Sequence, residues 1–282
     1  MYPNTLLDLY PYCNAKCTFC SYHGRKRAVK PMPDEIWKKV IDEIGASGES
    51  IEVMPYYYGE SLLNPRIFEV CDYISEHAPN VKICISTNGS RLSPDIIEKL
   101  LNVKTLDFLN FSVYAGTKET YEKIMGLDYN TLDKVEDAIM AFQTKKPHVR
   151  LCVGVTGDTR FVNQEDANEI TRRFGKYHQF GRPIVSPHAI SFNNQHGRNT
   201  RDPITCPDHK PCQVPFANAV VFCDGVVGVC CFDVEAEMAV GDVTKTTLLE
   251  AVYSPLAQKI RQSHLLGIKD VIPLCGSCTQ PN

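Results

Sequence analysis

The chain is 282 residues long, carries a formal net charge of -3 and is 43% hydrophobic and 22% charged, which suits a globular protein with one large α/β domain and a small appendage. It lacks the basic excess of a nucleic-acid binder and any apolar run near the roughly 18 residues needed to span a bilayer, so the expected partner is a small molecule or a peptide, with no nucleic acid and no membrane. Thirteen cysteines cluster in metal-ligand spacings, and Met1 is not followed by a charged n-region and an apolar h-region, so reduced thiols and a cytoplasmic location are expected.

The first apolar run, Thr5 to Tyr10, reads as a strand that leads into Cys13-Asn14-Ala15-Lys16-Cys17-Thr18-Phe19-Cys20. Arg25-Lys26-Arg27 reads as a solvated basic turn. Pro33-Asp34-Glu35 opens a helix with Ile36, Val40, Ile41 and Ile44 on one face. Ser50 to Tyr57 is strand-like and ends in Tyr58-Gly59-Glu60; a helix from about Asn64 to His77 places Cys71 in the core. Val81 to Ser86 is a strand ending at Thr87-Asn88-Gly89, and Ser93-Pro94-Asp95 caps the next helix. Thr105 to Ala115 is a strand, followed by helical stretches near Lys118–Met125 and Thr131–Thr144. His148 to Thr156 is the fifth strand, Asn163 to Tyr177 a helix and Pro183 to Phe192 the sixth strand. Six alternations of strand and helix imply parallel strands with right-handed crossovers. A doubly wound sheet and a partial barrel both satisfy that pattern.

Strand alternation divides the side chains between two faces. Asn110, Ser112 and Tyr114 share one face of the fourth strand, and Leu109, Phe111 and Val113 the other. The polar face is expected to line the interior, with Arg150, Cys152 and Thr156 on the fifth strand, Ser186 and His188 on the sixth, and Cys84 and Ser86 on the third. Asn110, Tyr114, Tyr57, His188 and Asn193 would suit a hydroxyl-rich ligand.

From about Asn199 the pattern changes. Cys206-Pro-Asp-His-Lys-Pro-Cys212 precedes a hairpin, Ala217 to Phe222 and Val226 to Phe232, reversing at Cys223-Asp224-Gly225. A helix is expected from about Thr246 to Leu265, and Cys275-Gly276-Ser277-Cys278 follows.

Three thiolates as close as Cys13, Cys17 and Cys20 can converge on one soft metal centre but cannot supply four ligands. A [4Fe–4S] cluster usually takes four cysteines, so three leave one iron open to a non-protein ligand. A zinc knuckle, completed by His23, is the alternative. The octet resembles the signature of the radical S-adenosylmethionine (radical SAM) enzymes, and Phe19, before the third cysteine, fits it. The resemblance implies a SAM-binding [4Fe–4S] cluster on Cys13, Cys17 and Cys20, its open iron chelated by the amino and carboxylate groups of S-adenosylmethionine. It also implies a six-stranded partial (β/α)6 TIM-like barrel over residues 1–198. Gly59-Glu60 is similar to the latter half of the family's GGEP-type segment, which holds the SAM amino group; Tyr58 stands for its first glycine and Ser61 for its proline. Thr87-Asn88-Gly89 is similar to the family's strand-end segment near the ligand, and Ser112, with Tyr114 beside it, to a serine that contacts SAM.

The C-terminal spacing Cys212-x12-Gly225-x4-Cys230, with Cys275 and Cys278 after a long gap, resembles the twitch domain, the shortened form of the SPASM extension of these enzymes. That implies a small domain at 199–282, a hairpin plus helix holding one auxiliary [4Fe–4S] cluster on Cys212, Cys230, Cys275 and Cys278. A zinc ribbon on the same four is the alternative. Cys206, Cys223 and Cys231 are left over, and one of them could replace an assigned ligand.

The resemblance implies cleavage of S-adenosylmethionine to a 5'-deoxyadenosyl radical that abstracts a substrate hydrogen, with electrons from a flavodoxin or ferredoxin. The plan looks like that of the dehydrogenase-like members acting on 2-deoxy-scyllo-inosamine. The leading expectation is therefore two-electron oxidation of a small hydroxylated metabolite, with His188 or Arg150 accepting the proton. The chain's start at its first strand, with no leader-gripping domain before it, favours a small molecule. The alternatives are epimerisation with Cys84 or Cys152 as hydrogen donor, carbon–carbon or thioether coupling on a peptide, and a metal-binding scaffold without catalysis.

Overall fold

The computed structural model describes residues 1–27, 29–156, 162–188, 211–276 and 278. Strand and helix alternate through the first part as the hydrophobic pattern requires: β1 (Asn4–Leu7), α1 (Asp34–Ser47), β2 (Glu52–Met54), α2 (Ile67–His77), β3 (Lys82–Thr87) and α3 (Pro94–Asn102). They continue with β4 (Leu106–Ser112), α4 (Lys118–Met125), α5 (Thr131–Lys145), β5 (Arg150–Thr156) and α6 (Gln164–Phe174). The next stretch is not one strand. β6 (His178–Gln179) and β7 (Arg182–Pro183) form a short antiparallel ribbon before β8 (Val185–His188). The ribbon reverses at Phe180-Gly181, both at positive φ, 53° and 74°. The expected continuation of the sixth strand to Phe192, and with it Asn193, lies outside the described residues, as do the boundary between 198 and 199 and Cys206.

β1, β2, β3, β4, β5 and β8 are parallel and lie side by side in chain order. That single direction of winding lacks the reversal of a doubly wound sheet. Alternation along β4 works as expected: Leu109 and Phe111 are fully buried against the helix layer with Val135, Ile139 and Phe142 of α5. On the other face Asn110 Nδ2 donates to Ser86 Oγ at 2.8 Å. Capping is also as the sequence indicated at α3, where Ser93 Oγ accepts the Ile96 N–H at 3.3 Å.

The C-terminal part is joined to this sheet. After α7 (Val214–Ala217) come β9 (Asn218–Val221), β10 (Val226–Gly228) and β11 (Ala239–Asp242). β9 pairs in parallel with β1, Asn4 opposite Asn218 and Leu7 opposite Val221, and β10 and β11 extend the sheet antiparallel. Among the described residues the result is one nine-stranded sheet, β11-β10-β9-β1-β2-β3-β4-β5-β8. The expected helix at 246–265 is two helices, α8 (Leu248–Val252) and α9 (Pro255–Leu265). Pro255 has no N–H to continue α8, and Ser254 Oγ instead accepts the Ala257 N–H and starts a new helix. α10 (Pro273–Gly276) follows. Among the described residues no helix is long and apolar enough to cross a membrane.

Arg25-Lys26-Arg27 is not a solvated turn. The Arg25 guanidinium is 2% exposed and lies 2.8 Å from Asp8, itself 1% exposed. Arg27 pairs with Asp224 and sits over the Phe222 ring. The Lys26 and Arg27 amides donate to the Glu235 carboxylate at 2.7 and 2.8 Å. The segment after the cysteine octet therefore clasps the C-terminal hairpin, whose acidic residues lie about two hundred positions away in the chain. α1 adds a second attachment: Glu43 accepts the Leu248 and Leu249 amides at the start of α8, and Lys39 donates to Val243 and Thr246 carbonyls.

Candidate active site

The C-terminal ends of the first four strands and the loops that leave them surround one cavity of about 300 Å³. Cys13, Cys17 and Cys20 line it together. Their loop is pinned by backbone: Lys16 N–H donates to Met125 O at 2.8 Å, Thr18 N–H to Ile124 O at 3.1 Å, and Glu60 N–H to Tyr12 O at 2.8 Å. Gly59 makes the last contact achievable, because a Cβ there would stand 2.4 Å from Tyr10 O and 3.1 Å from Tyr12 O.

Glu60 is 3% exposed and its carboxylate is fully engaged. Oε1 accepts the Thr87 hydroxyl at 2.6 Å and the Leu62 N–H at 3.0 Å, and Oε2 the Asn88 N–H at 2.7 Å. Burial raises its pKa, against the lowering effect of these bonds. Asn88 Nδ2 in turn donates to Asn14 Oδ1 at 3.0 Å and lies 4.0 Å from Cys13 Sγ. The segments at Gly59-Glu60 and Thr87-Asn88 and the cysteine loop are thus one hydrogen-bonded unit. Ser112 and Tyr114 face the same cavity, and Phe19 meets the Tyr114 ring edge-on at 4.9 Å. Burial raises the Tyr114 pKa, keeping the phenol protonated.

The donor set fits a cationic centre. Burial pushes the Cys13 thiol up to about 11 and raises Cys17 and Cys20 as well, with Cys17 raised further by the other two. Among the described residues no lysine or arginine lines the cavity. Three thiolates gathered there are stable only on a metal centre that neutralises them, and three cysteine ligands suit an iron–sulfur cluster with one iron left open.

The far wall carries Tyr56 and Phe232, which sequence reasoning did not single out, with Tyr57, expected to suit a hydroxyl-rich ligand, and Tyr58 and Cys231, considered only as a stand-in for a glycine and as a possible replacement cluster ligand. The Tyr57 ring packs edge-on against Tyr58 and Phe222, and its hydroxyl is buried without a hydrogen-bond partner among the described residues. Cys231 and Phe232 come from the segment after β10, so their place in this wall depends on the pairing of β9 with β1, which no local motif announces.

Other expected site residues lie elsewhere. Arg150 is the first residue of β5, at the end of the sheet opposite the cysteine loop, where its guanidinium binds Asp107 at 2.5 Å and Glu52 at 2.8 Å. Cys84 and Cys152 are buried at 2% and 8% exposure and do not line the cavity. His188 ends β8 in register with Thr156; its side chain is outside the described residues.

Cys212 precedes α7, Cys230 follows β10, Cys275 lies in α10 and Cys278 just beyond it. Their thiols are near enough to act on one another: Cys275 and Cys278 on Cys230, and Cys278 and Cys212 on Cys275. Cys231 feels Cys212 and Cys278 and so stands between this group and the cavity. Cys223 belongs instead to the hairpin turn beside Asp8 and Arg25. Asp233, fully buried, accepts the Glu237 and Met238 amides and fixes the loop that follows Cys231.

Comparison with known proteins agrees with this geometry. Residues 7–170 match the model of the radical SAM superfamily, and residues 212–279 match that of an iron–sulfur cluster-binding domain. The AdoMet-dependent heme synthase of Methanosarcina barkeri is 28% identical over 123 residues, 43% of this chain and 33% of that protein. The chain thus spans about a third of the length of that curated relative. Among solved structures, BtrN in complex with AdoMet and 2-DOIA superposes with a TM-score of 0.68 at 17% identity, covering 99% of this chain and 93% of BtrN. Streptococcus suis SuiB bound to precursor peptide SuiA gives 0.67 at 13% identity, over 98% and 71%. At these identities the structural likeness establishes the fold. The two domain matches indicate a SAM-binding [4Fe–4S] cluster and auxiliary iron–sulfur binding. With more than half of its length inside the first match, and the three cavity cysteines within it, the chain belongs to the radical SAM superfamily.

Proposed function

We propose that this protein oxidises a small hydroxylated metabolite by two electrons, alcohol to carbonyl, with Cys13, Cys17 and Cys20 holding the SAM-binding cluster and Cys212, Cys230, Cys275 and Cys278 the auxiliary one. Residues 1–198 form the partial barrel and 199–282 the twitch domain in this reading. The observation that carries it is the shared cavity: the loop bearing the first three cysteines forms one wall, and Cys231-Phe232, next to the auxiliary cysteine Cys230, forms another. A substrate between these walls is adjacent to both centres. When bound, S-adenosylmethionine on its cluster supplies a hydrogen-abstracting 5'-deoxyadenosyl radical, and the auxiliary cluster supplies an acceptor for the second electron.

The chain's own residues bind, orient and exclude water. Glu60, held by Thr87, Leu62 and Asn88, locks two strand ends against the cysteine loop, so the cavity rim is fixed before any ligand enters. The buried Tyr57 hydroxyl is available to a polar group of the substrate. Arg150 is not the proton acceptor: its ion pairs with Asp107 and Glu52 outweigh burial and raise its pKa, and a charged guanidinium has no site for a proton. His188, at the rim end of β8, takes that role in this reading. A flavodoxin or ferredoxin supplies the reducing electron.

A second reading is favoured by one observation, the Cys231 thiol in the cavity wall. In an epimerisation its S–H bond breaks as a C–H bond forms on the opposite face of a substrate radical. The thiyl left on Cys231 then takes one electron and one proton from the reductant and solvent. One experiment decides between the two. Anaerobically reconstituted protein and its Cys275→Ala/Cys278→Ala variant are incubated in deuterated water with a panel of polyols and amino alcohols. Oxidation predicts carbonyl product equimolar with 5'-deoxyadenosine, and a variant that still cleaves S-adenosylmethionine without forming carbonyl. Full turnover by the variant overturns it, and deuterium at a substrate carbon without oxidation establishes the second reading.

A further inference from the structure

His264, in the last turn of α9, is 1% exposed, and the state of its ring follows from the backbone around it. The Cys212 amide points at Nδ1 from 3.3 Å. An amide nitrogen can only donate, so Nδ1 accepts and carries no proton, and the ring proton is on Nε2. Nε2 is buried and has no hydrogen-bond partner among the described residues. A buried donor without an acceptor is rare in a native structure and points to a group the polypeptide does not itself provide.

The surroundings say what kind of group. The backbone amide that His264 holds belongs to the first of the four auxiliary cysteines. Beyond His264 the chain turns through Gly267, at φ +71°, and a 3-10 turn at Lys269–Val271 into α10 and Cys275. Lys269 is 8% exposed, and its ammonium acts on both His264 and Cys275. A buried imidazole N–H donor and a nearby ammonium thus accompany the segments that carry Cys212 and Cys275.

We infer that His264 is a positioning residue of the auxiliary cluster, fixing Cys212 through Nδ1 and donating from Nε2–H to a sulfur of the cluster or of its cysteine ligands. This rests on the reading of Cys212, Cys230, Cys275 and Cys278 as cluster ligands. No bond is broken and no electron moves in this role. Hydrogen bonds to cluster sulfur stabilise the reduced state and raise the reduction potential, as an electron-accepting centre requires.

The test is a redox titration followed by electron paramagnetic resonance on the holoenzyme and its His264→Leu and His264→Gln variants. The auxiliary signal is the one that does not change when S-adenosylmethionine is added. The Leu variant is expected to shift the midpoint of that signal to more negative potential and leave the SAM-responsive cluster where it was. The Gln variant, whose carbonyl can accept from Cys212 while its NH2 donates, is expected to restore the wild-type midpoint. An unmoved midpoint in the Leu variant, or no rescue by Gln, overturns the inference. Should the Leu variant lose the cluster, the Gln midpoint decides alone, together with nitrogen hyperfine coupling from the His264 ring to the reduced wild-type cluster, whose absence counts against the bond. A wild-type enzyme with no SAM-insensitive signal refutes the ligand assignment itself, a failure distinct from either of these.

Discussion

The two cysteine groups are assembled in opposite ways. Cys13, Cys17 and Cys20 share one octet, and the fold contributes only the surfaces that hold their loop: the end of α4, Gly59-Glu60 and Asn88. Cys212, Cys230, Cys275 and Cys278 arrive from three separate elements and meet only because β9 docks on β1 and α8 on Glu43. The first site is local in sequence and steadied from outside, whereas the second exists only where the C-terminal part is in place. In the proposed function, chemistry that must be set against an open cavity sits on the pinned loop, and the auxiliary centre is built from the architecture itself.

The largest expected effect comes from removing the local site. Changing Cys13, Cys17 and Cys20 to Ala should abolish 5'-deoxyadenosine formation and lower the iron content of the reconstituted protein from about eight to about four per chain. Iron falling to zero would mean the two groups are not independent.

A smaller effect is expected at the contact that steadies the loop. Gly59→Ala forces a methyl against the Tyr10 carbonyl and should cost about 1–3 kcal/mol, read as a lower urea midpoint and slower SAM cleavage. Gly24→Ala, where a Cβ meets nothing within 4 Å, is the control that should leave both unchanged. A normal SAM-cleavage rate in the Gly59 variant would show that the loop needs no such support.

The smallest effect lies away from both sites. Asp166 is fully buried and accepts from the amides of Gly116, Thr117 and Asn163 and from the Thr117 hydroxyl, tying the loop after β4 to α6. Burial alone would raise its pKa, but these bonds prevail and hold it below the usual carboxylate value. Its stabilisation is therefore complete above the unfolded pKa of about 4 and is lost as pH falls through the lower folded value. Asp166→Asn should cost about 1–3 kcal/mol at pH 7 and flatten the loss of stability below about pH 4, with iron content unchanged. Urea melts at several pH values check this, and a parallel fall in iron would tie this corner to the cysteine sites.

Much of the cavity was legible because each segment that lines it sits where a strand ends, and strand ends are marked by a change from apolar alternation to Gly, Asn and Ser. The octet, Gly59-Glu60, Thr87-Asn88 and Ser112 all surround it. Arg25-Lys26-Arg27 was misread because three adjacent charges look solvated, and their partners Asp8, Asp224 and Glu235 are visible only in three dimensions. Cys231 could not be separated from Cys206 or Cys223 by spacing; the register of β9 on β1 distinguishes it. Arg150 and Cys84 show the limit of alternation, which gives the face of a sheet but not the height along it. The split of the last long helix was readable from Ser254-Pro255 and was missed by following apolar periodicity alone.

The pairing of residues 4–7 with 218–221 also bears on how the protein comes to be folded. β1 and the cysteine loop leave the ribosome well before β9, so one edge of β1 has no neighbour until more than two hundred further residues have been made. Such a long-range contact closes slowly. Until it does, Thr5-Leu6-Leu7 presents an unpaired apolar edge of the kind that associates with other chains. Completion of the wall around the first three cysteines therefore waits for β9 and β10 to be made, and iron delivered to a nascent chain before then would meet thiols that are still open to solvent and oxidant.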